Sequence, residues 1–112
     1  MIFAADTEER TLHVFPDSLT AASYCDGLDA EGMLFWDDRG QPLEPEFDVP
    51  NKHGLFTSKS GVYHLVPSTS ADLSPLADVL GEVRQVVGEV PYNTVEAVQQ
   101  YLRQPPAPQA VI

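Results

Sequence analysis

The sequence predicts an α+β domain with a mostly antiparallel sheet of four to five strands and helices packed on one face of the sheet. Two observations support this prediction. Short β-prone runs separated by turn residues fill the middle of the chain, and segments with helical spacing follow near its C-terminal end. With 112 residues, of which 43% are hydrophobic, the chain is sized for one core. Residues 1–103 are therefore predicted to form a single domain and residues 104–112 a proline-rich tail.

The first predicted elements are a strand and a short helix. Thr11–Phe15 (TLHVF) is a β-prone run with Leu12 and Val14 on one face, and Pro16 ends it. Asp17 or Ser18 can cap a helix that continues to about Cys25. The buried side of this helix is expected to carry Leu19, Ala22 and Cys25.

Two further strands are predicted in the middle of the chain. Met33–Trp36 (MLFW) is continuously apolar, which favours a central strand buried on both faces, and Asp37–Gly40 supplies a turn. Leu43–Val49 (LEPEFDV) alternates, with Leu43, Phe47 and Val49 on one face and Glu44, Glu46 and Asp48 on the other. Because Pro45 has no N–H to donate, this strand is expected at an edge.

A hairpin and two helices are predicted in the C-terminal half. Gly54–Thr57 and Val62–Pro67 flank a loop of hairpin length, Ser58–Gly61. Ser74 as N-cap and Pro75 as first residue begin a helix that is expected to end at Gly88. A capping-box pattern at Asn93 and Glu96 predicts a last helix, which ends near Arg103.

The charge of the chain limits its partners. Seventeen acidic residues against six basic ones give a net charge of −11, which opposes binding to nucleic acid and to anionic membranes. A basic protein, a cationic ligand or a divalent metal is favoured, although the charge can also serve only to keep the protein soluble. The N-terminal residues lack the basic and apolar regions of a signal peptide, and no apolar run approaches the roughly 20 residues of a membrane span. We therefore expect a cytoplasmic protein.

No motif in the sequence encodes a reaction. His13, His53 and His64 lack zinc-ligand spacing, and the chain has neither a GxSxG nucleophile motif nor a calcium loop. Cys25, the only cysteine, is expected to pack in the core. The sequence thus predicts a protein that is not an enzyme, with no catalytic residue, no metal and no cofactor.

The unusual feature is an acidic window between Asp26 and Asp48 whose only basic residue is Arg39. One interpretation is a binding face for Lys and Arg side chains of a partner, with Trp36 or Phe35 as an anchor if either is exposed. The other is that Trp36 belongs to the core and the acids are a solvated face. The predicted partner-binding residues are Trp36, Asp37, Asp38, Glu44, Glu46 and Asp48.

The stretch LFWDDRGQPLEPEF, followed by PNKHGLF and GVYHLVP, resembles in size, charge and texture the small acidic immunity proteins of bacterial polymorphic and type VI secretion toxin systems. The resemblance implies a cytoplasmic protein that binds one cognate toxin domain, usually occluding its active site, without a cofactor. If that toxin is a nuclease or a nucleotide-using enzyme, the carboxylates would stand in for phosphates.

Two alternatives remain open. One is a small homo-oligomeric adaptor that pairs with its own copy, for example a homodimer, through the Pro45 strand or the C-terminal arm. The other is a small enzyme that uses a carboxylate pair or His64, which would require a concave pocket with perturbed titrating groups.

Overall fold

The structure is a computed structural model that describes residues 1–103. Its strands and helices are short and are joined by tight turns. In chain order they are β1 (Ile2–Asp6), β2 (Thr11–Phe15), α1 (Ser18–Tyr24), α2 (Gly27–Ala30), β3 (Met33–Trp36), β4 (Pro42–Val49), β5 (Lys52–His53), β6 (Ser58–Lys59), β7 (Val62–Pro67), α3 (Leu76–Val79), a 3₁₀ turn (Leu80–Glu82), β8 (Gln85–Val87) and α4 (Val95–Arg103). The predicted tail, residues 104–112, lies outside the described residues.

The main sheet has six strands in the order β7-β4-β3-β1-β2-β8, and β5 and β6 form a separate two-stranded ribbon. Strand β8 runs parallel to β2, whereas the other neighbours in the main sheet pair antiparallel. The α+β prediction is confirmed. The predicted mostly antiparallel sheet of four to five strands is corrected to a mixed sheet of six strands.

Helices cover both faces of the sheet, so the prediction that they pack on one face is wrong. On one face Phe15 and Phe35 pack with residues of α1 and α2. On the other face Phe3 and Trp36 pack with residues of α3 and α4. Two apolar faces require two covering layers, because an uncovered apolar face would remain in contact with water.

The sequence pattern predicts no element before Thr11, but Ile2–Asp6 forms the central strand β1. It lies between β2 and β3, and Phe3 and Ala4 are fully buried. Its side chains alternate between the two cores, with Ile2 and Ala4 in one and Phe3 in the other. Alanine is a weak strand former, so the burial of this run in the middle of the sheet, and not its propensity, explains the strand.

The predicted hairpin has different partners in the structure. Strand β7 pairs antiparallel with β4 along its length, and Gly54–Thr57 forms the loop between β5 and β6. Because β7 lies outside β4, the expectation that Pro45 marks an edge strand is wrong. Pro45 lies opposite Leu65 of β7. Strand β4 extends past its two paired positions with β3, so Pro45 needs no N–H partner on that side.

Of the three predicted helices, the first and the last are present in the structure, and the middle one is shorter than predicted. The helix that begins after Asp17 is confirmed as α1. Cys25 at its end is buried and Ala22 is partly buried, as predicted, but Leu19 is 83% exposed and the fully buried residue within the helix is Ala21. The predicted helix from Ser74 to Gly88 is wrong beyond Glu82, because the valine-rich Gln85–Val87 pairs with β2 as a strand. The last helix is confirmed as α4. Its capping side chain is Thr94, which accepts the Ala97 N–H at 3.1 Å, and not Asn93 as the capping-box pattern predicted.

In the described part of the chain, no helix combines the length and the apolar character that a membrane crossing requires.

Candidate protein-interaction site

Three carboxylates project from β4 on the side opposite its buried residues. Leu43 and Phe47 pack into the core beneath α1 and α2, so the intervening Glu44 and Glu46 point to the other face of the sheet. Asp48, which follows Phe47, shares that side, because His64 contacts both Asp48 and Glu46. The predicted alternation is therefore present in the structure. A register shift between Phe47 and Val49 interrupts it, and Val49 is half exposed where the sequence predicted burial.

His64 of β7 lies among these carboxylates. It is opposite Glu46 in the sheet, and its Nδ1 is 3.0 Å from Asp48 Oδ2 while its Nε2 is 4.0 Å from Glu46 Oε1. The side chains of Glu46 and Asp48 are 64% and 59% exposed. Glu44 is partly buried and accepts a hydrogen bond from the Ser68 hydroxyl at 3.2 Å. We call Glu44, Glu46, Asp48 and His64 the β4 acidic surface.

The aromatic residues proposed as anchors are in the core. Trp36 and Phe35 are each 2% exposed, so the condition for either to serve as an anchor is not met. Trp36 Nε1 donates to the carbonyl of Ser74 at 2.9 Å. Trp36 therefore holds the loop before α3 against the sheet and does not belong to a binding surface.

Asp37 and Asp38 lie in the turn before β4, at the Glu44 end of the β4 acidic surface. Asp37 Oδ1 accepts the N–H groups of Arg39 and Gln41, both at 2.9 Å, and so closes the turn between β3 and β4. Glu44 follows the end of this turn by three residues, whereas about six residues of extended strand, roughly 20 Å, separate the turn from Asp48. Because Trp36 is buried and Asp37 accepts backbone hydrogen bonds within the turn, the six predicted residues do not form one exposed face.

A protruding hairpin carries the most exposed apolar side chains of the described chain. Its loop presents Leu55 and Phe56, which are 91% and 93% exposed. Lys52 and Lys59 face each other on β5 and β6. We call residues 52–59 the hairpin arm, and it is basic at its base and apolar at its tip.

The base of the hairpin arm is fixed to α2 and the turn after it. Asn51 Nδ2 donates to Gly27 O and to Glu31 Oε1, both at 2.6 Å, and Asn51 Oδ1 accepts the Gly61 N–H at 2.7 Å. His53 Nε2 lies 3.0 Å from the same Glu31 oxygen. These hydrogen bonds, from Asn51 first and then from His53, lower the pKa of Glu31 below its ordinary value.

A concave surface lies along β2 and β8, on the face of the sheet that α1 covers. Two adjoining cavities of about 590 and 480 Å³ share His13, Tyr24 and Val87. We call them together the β2–β8 cleft. Its larger end carries the carboxylates of Asp6, Glu8, Glu9 and Asp29. Its smaller end has one carboxylate, Glu89, and is lined largely by apolar and aromatic residues, including Met1, Phe15, Pro16, Val90 and Tyr92.

The middle of this cleft is aromatic and uncharged at neutral pH. The ring of His13 lies 5.2 Å from that of Tyr24 and stacks at 6.0 Å on that of Phe15. Burial lowers the pKa of His13, and the nearby carboxylates of Asp6 and Glu9 oppose this shift only in part. His13 therefore contributes a flat neutral ring to the floor of the cleft.

The chemistry at the cleft does not favour a nucleophile. Burial first, and then the charges of Asp29 and Asp26, raise the pKa of Cys25 to about 11. The thiol is thus protonated at neutral pH. Within residues 1–103, His, Cys, Asp and Glu side chains form no group of three that could hold a metal ion.

Sequence reasoning missed both the hairpin arm and the cleft. The β-prone run Gly54–Thr57 favours a strand in the sequence, whereas in the structure it is the loop of the hairpin arm. The signal that fits a loop is a pair of apolar residues between Gly54 and a run of polar residues. The cleft had no local signal, because its walls come from β1–β2, α1 and β8. The chain matches no protein-family model, no curated protein and no solved structure.

Proposed function

We propose that this protein is a cytoplasmic immunity protein that binds the toxin domain of a bacterial polymorphic or type VI secretion system and occludes its active site. The observation that supports the proposal is the β4 acidic surface. Glu46 and Asp48 are more than half exposed on a strand whose opposite side is packed in the core. A rigid strand presents charges with little loss of conformational freedom on binding.

The spacing of the carboxylates suggests what they contact. Alternate residues of a strand lie about 6.6 Å apart, so Glu44, Glu46 and Asp48 form a row of negative charge along one direction. A toxin that acts on nucleic acid or nucleotides carries a basic cleft for phosphates. In this proposal the row enters that cleft and pairs with its Lys and Arg side chains, which speeds association and excludes substrate.

The first experiment identifies the partner by recovering the tagged protein from its native cells at low and high salt, with mass spectrometry of the bound proteins. One stoichiometric protein with a toxin-like domain, retained better at low salt, is the expected result. Cells that contain a candidate toxin but yield no such protein would contradict the proposal.

The second experiment tests the surface. The variant Glu44→Lys/Glu46→Lys/Asp48→Lys should bind the identified toxin domain at least about tenfold more slowly and should fail to inhibit it. The matched control, Asp72→Lys/Asp78→Lys/Glu82→Lys, changes the net charge equally at exposed positions outside β4. Equal association rates for the two variants would show that only net charge matters and would reject the β4 acidic surface.

A further inference from the structure

We propose that the hairpin arm of one copy docks into the β2–β8 cleft of a second copy, which gives a two-fold symmetric dimer by reciprocal arm exchange. Neither feature belongs to the β4 acidic surface. The dimer is therefore independent of the proposed toxin binding and can fail or succeed separately from it.

The tip of the arm has the character of an interface anchor. Leu55 and Phe56 are adjacent and more than 90% exposed, whereas most other large apolar side chains of the described chain are packed in the two cores. The base of the arm that carries them is held by the hydrogen bonds of Asn51. Two neighbouring apolar side chains on a fixed support resemble the anchors that dominate protein interfaces.

The smaller end of the cleft suits such an anchor. Its volume of about 480 Å³ falls in the range of about 300–1,000 Å³ that is usual for ligand pockets, and Phe15, Pro16 and Tyr92 line it. Val90 at its rim is 81% exposed, so this end retains apolar surface that the fold does not cover. An apolar side chain entering here removes apolar area of both copies from water.

Charge complementarity selects a second copy as the occupant. The arm carries Lys52 and Lys59, while the larger end of the cleft carries four carboxylates. The charged and apolar parts also follow one another in the same order on the arm and in the cleft. Basic side chains lie at the base of the arm and apolar ones at its tip, and the cleft passes from acidic to apolar across His13.

The positions of arm and cleft suit a two-fold axis near α2. The arm is attached through Asn51 and His53 to Gly27 and Glu31, and Asp29 and Gly32 of the same segment line the acidic end of the cleft. A rotation axis beside this segment brings the base of each arm to the acidic end of the other copy. Such an isologous contact closes at two subunits.

The test exploits the reciprocity of the exchange. Lys52→Glu/Lys59→Glu places an acidic arm against an acidic cleft. Glu8→Lys/Glu9→Lys/Asp29→Lys leaves Asp6 as the one carboxylate of the larger end beside three lysines, and so places a basic arm against a basic cleft. Each variant alone should dimerise at least tenfold more weakly than the wild type in sedimentation equilibrium at low salt, over about 1–500 µM chain. When the two variants are mixed, both arm–cleft contacts again join opposite charges, so a heterodimer should form with near wild-type affinity.

Further variants test the contribution of the apolar contact to dimerisation separately from that of the charges. Leu55→Ser/Phe56→Ser should abolish the dimer, whereas Leu19→Ser, at another exposed apolar position on α1, should leave it unchanged. Asp72→Lys/Asp78→Lys/Glu82→Lys, at exposed positions outside the cleft, is the matched charge control. Circular dichroism verifies that each variant is folded.

A wild-type chain that sediments only at 12.3 kDa at the highest concentration would overturn the proposal. So would a mixture of the two charge variants that stays monomeric, or an unchanged dimer after substitution of Leu55 and Phe56. In either of the last two cases the dimer would form through another surface, and the arm would bind a different protein or none.

Discussion

The side-chain nitrogen Nδ2 of Asn51 lies 2.6 Å from Oε1 of Glu31, and this hydrogen bond ties the hairpin arm to the segment after α2. The same amide also reaches Gly27 O and accepts from Gly61, so a single side chain joins three parts of the chain that are far apart in sequence. The orientation of the arm, and with it the position of Leu55 and Phe56, depends on this residue.

Replacing Asn51 by alanine should lower the free energy of unfolding by about 1–3 kcal/mol, because Gly27 O and Gly61 N–H lose a partly buried partner. Urea denaturation followed by circular dichroism measures the change. Asn93→Ala, at an exposed position, is the control and should change the stability by less than about 0.5 kcal/mol. Equal stability of the two variants would contradict this role of Asn51.

Gly40→Ala should destabilise the protein by about 1–3 kcal/mol, because Gly40 has φ 77°, a conformation that strains other residues. An added Cβ would also lie 3.1 Å from Leu102 Cδ2 and 3.3 Å from Leu76 Cβ, so α3 and α4 would have to shift. Thermal unfolding measures the effect. Gly81→Ala serves as the control, since a Cβ there meets no heavy atom within 4 Å, and it should be neutral or stabilising by up to about 1 kcal/mol. The argument fails if both variants melt alike.

Trp36→Phe should cost about 1–3 kcal/mol, because it leaves the Ser74 carbonyl without the indole N–H and opens a small void in the core. Chemical denaturation monitored by circular dichroism provides the value. A companion measurement uses the wild type, in which iodide should quench the emission of this single tryptophan far less in the native than in the unfolded state. Native quenching as strong as in urea would contradict the buried position.

The free energy of unfolding should fall as the pH rises above the ordinary pKa of a cysteine thiol. The pKa of Cys25 is raised to about 11 in the folded state, so between its unfolded pKa and about 11 the unfolded chain binds fewer protons than the native one. The slope contributed by this group is at most about 1.4 kcal/mol per pH unit. Tyr63, whose pKa is raised to about 12 chiefly by burial, adds to it above the range of an ordinary tyrosine.

Urea denaturation at several pH values between 8 and 11 measures this slope. Cys25→Ala is the informative variant, because it removes the thiol and should flatten the first part of the curve whatever its own stability. A curve for Cys25→Ala that is parallel to the wild-type curve would contradict the assignment.

Strands and helices could be predicted from the sequence where the pattern of apolar, turn and capping residues is complete within a few positions. Met33–Trp36 has a continuous apolar run, Thr11–Phe15 alternates between turn signals, and the last helix has a capping pattern and an apolar stripe. Each of these signals arises from local backbone preference and from which side chains avoid water. The same reasoning placed Glu44, Glu46 and Asp48 together on one face of a strand.

Elements that depend on long-range pairing were not predictable. Gln85–Val87 continues a helical spacing but forms a strand, because β2 offers an unpaired edge and valine fits a pleated surface. Ile2–Asp6 becomes the central strand because its neighbours bury it on both sides. The sequence contains no local information about either neighbour.

The sequence by itself determined that the chain has an α+β fold, that its charge opposes nucleic acid as a partner, and that three carboxylates share one face of Pro42–Val49. Only the tertiary structure decided that Trp36 is a core residue and that Leu55 and Phe56 stand on an exposed arm opposite in charge to the β2–β8 cleft. The reason is physical. Pattern and charge are properties of consecutive residues, whereas burial and clefts arise where segments distant along the chain meet.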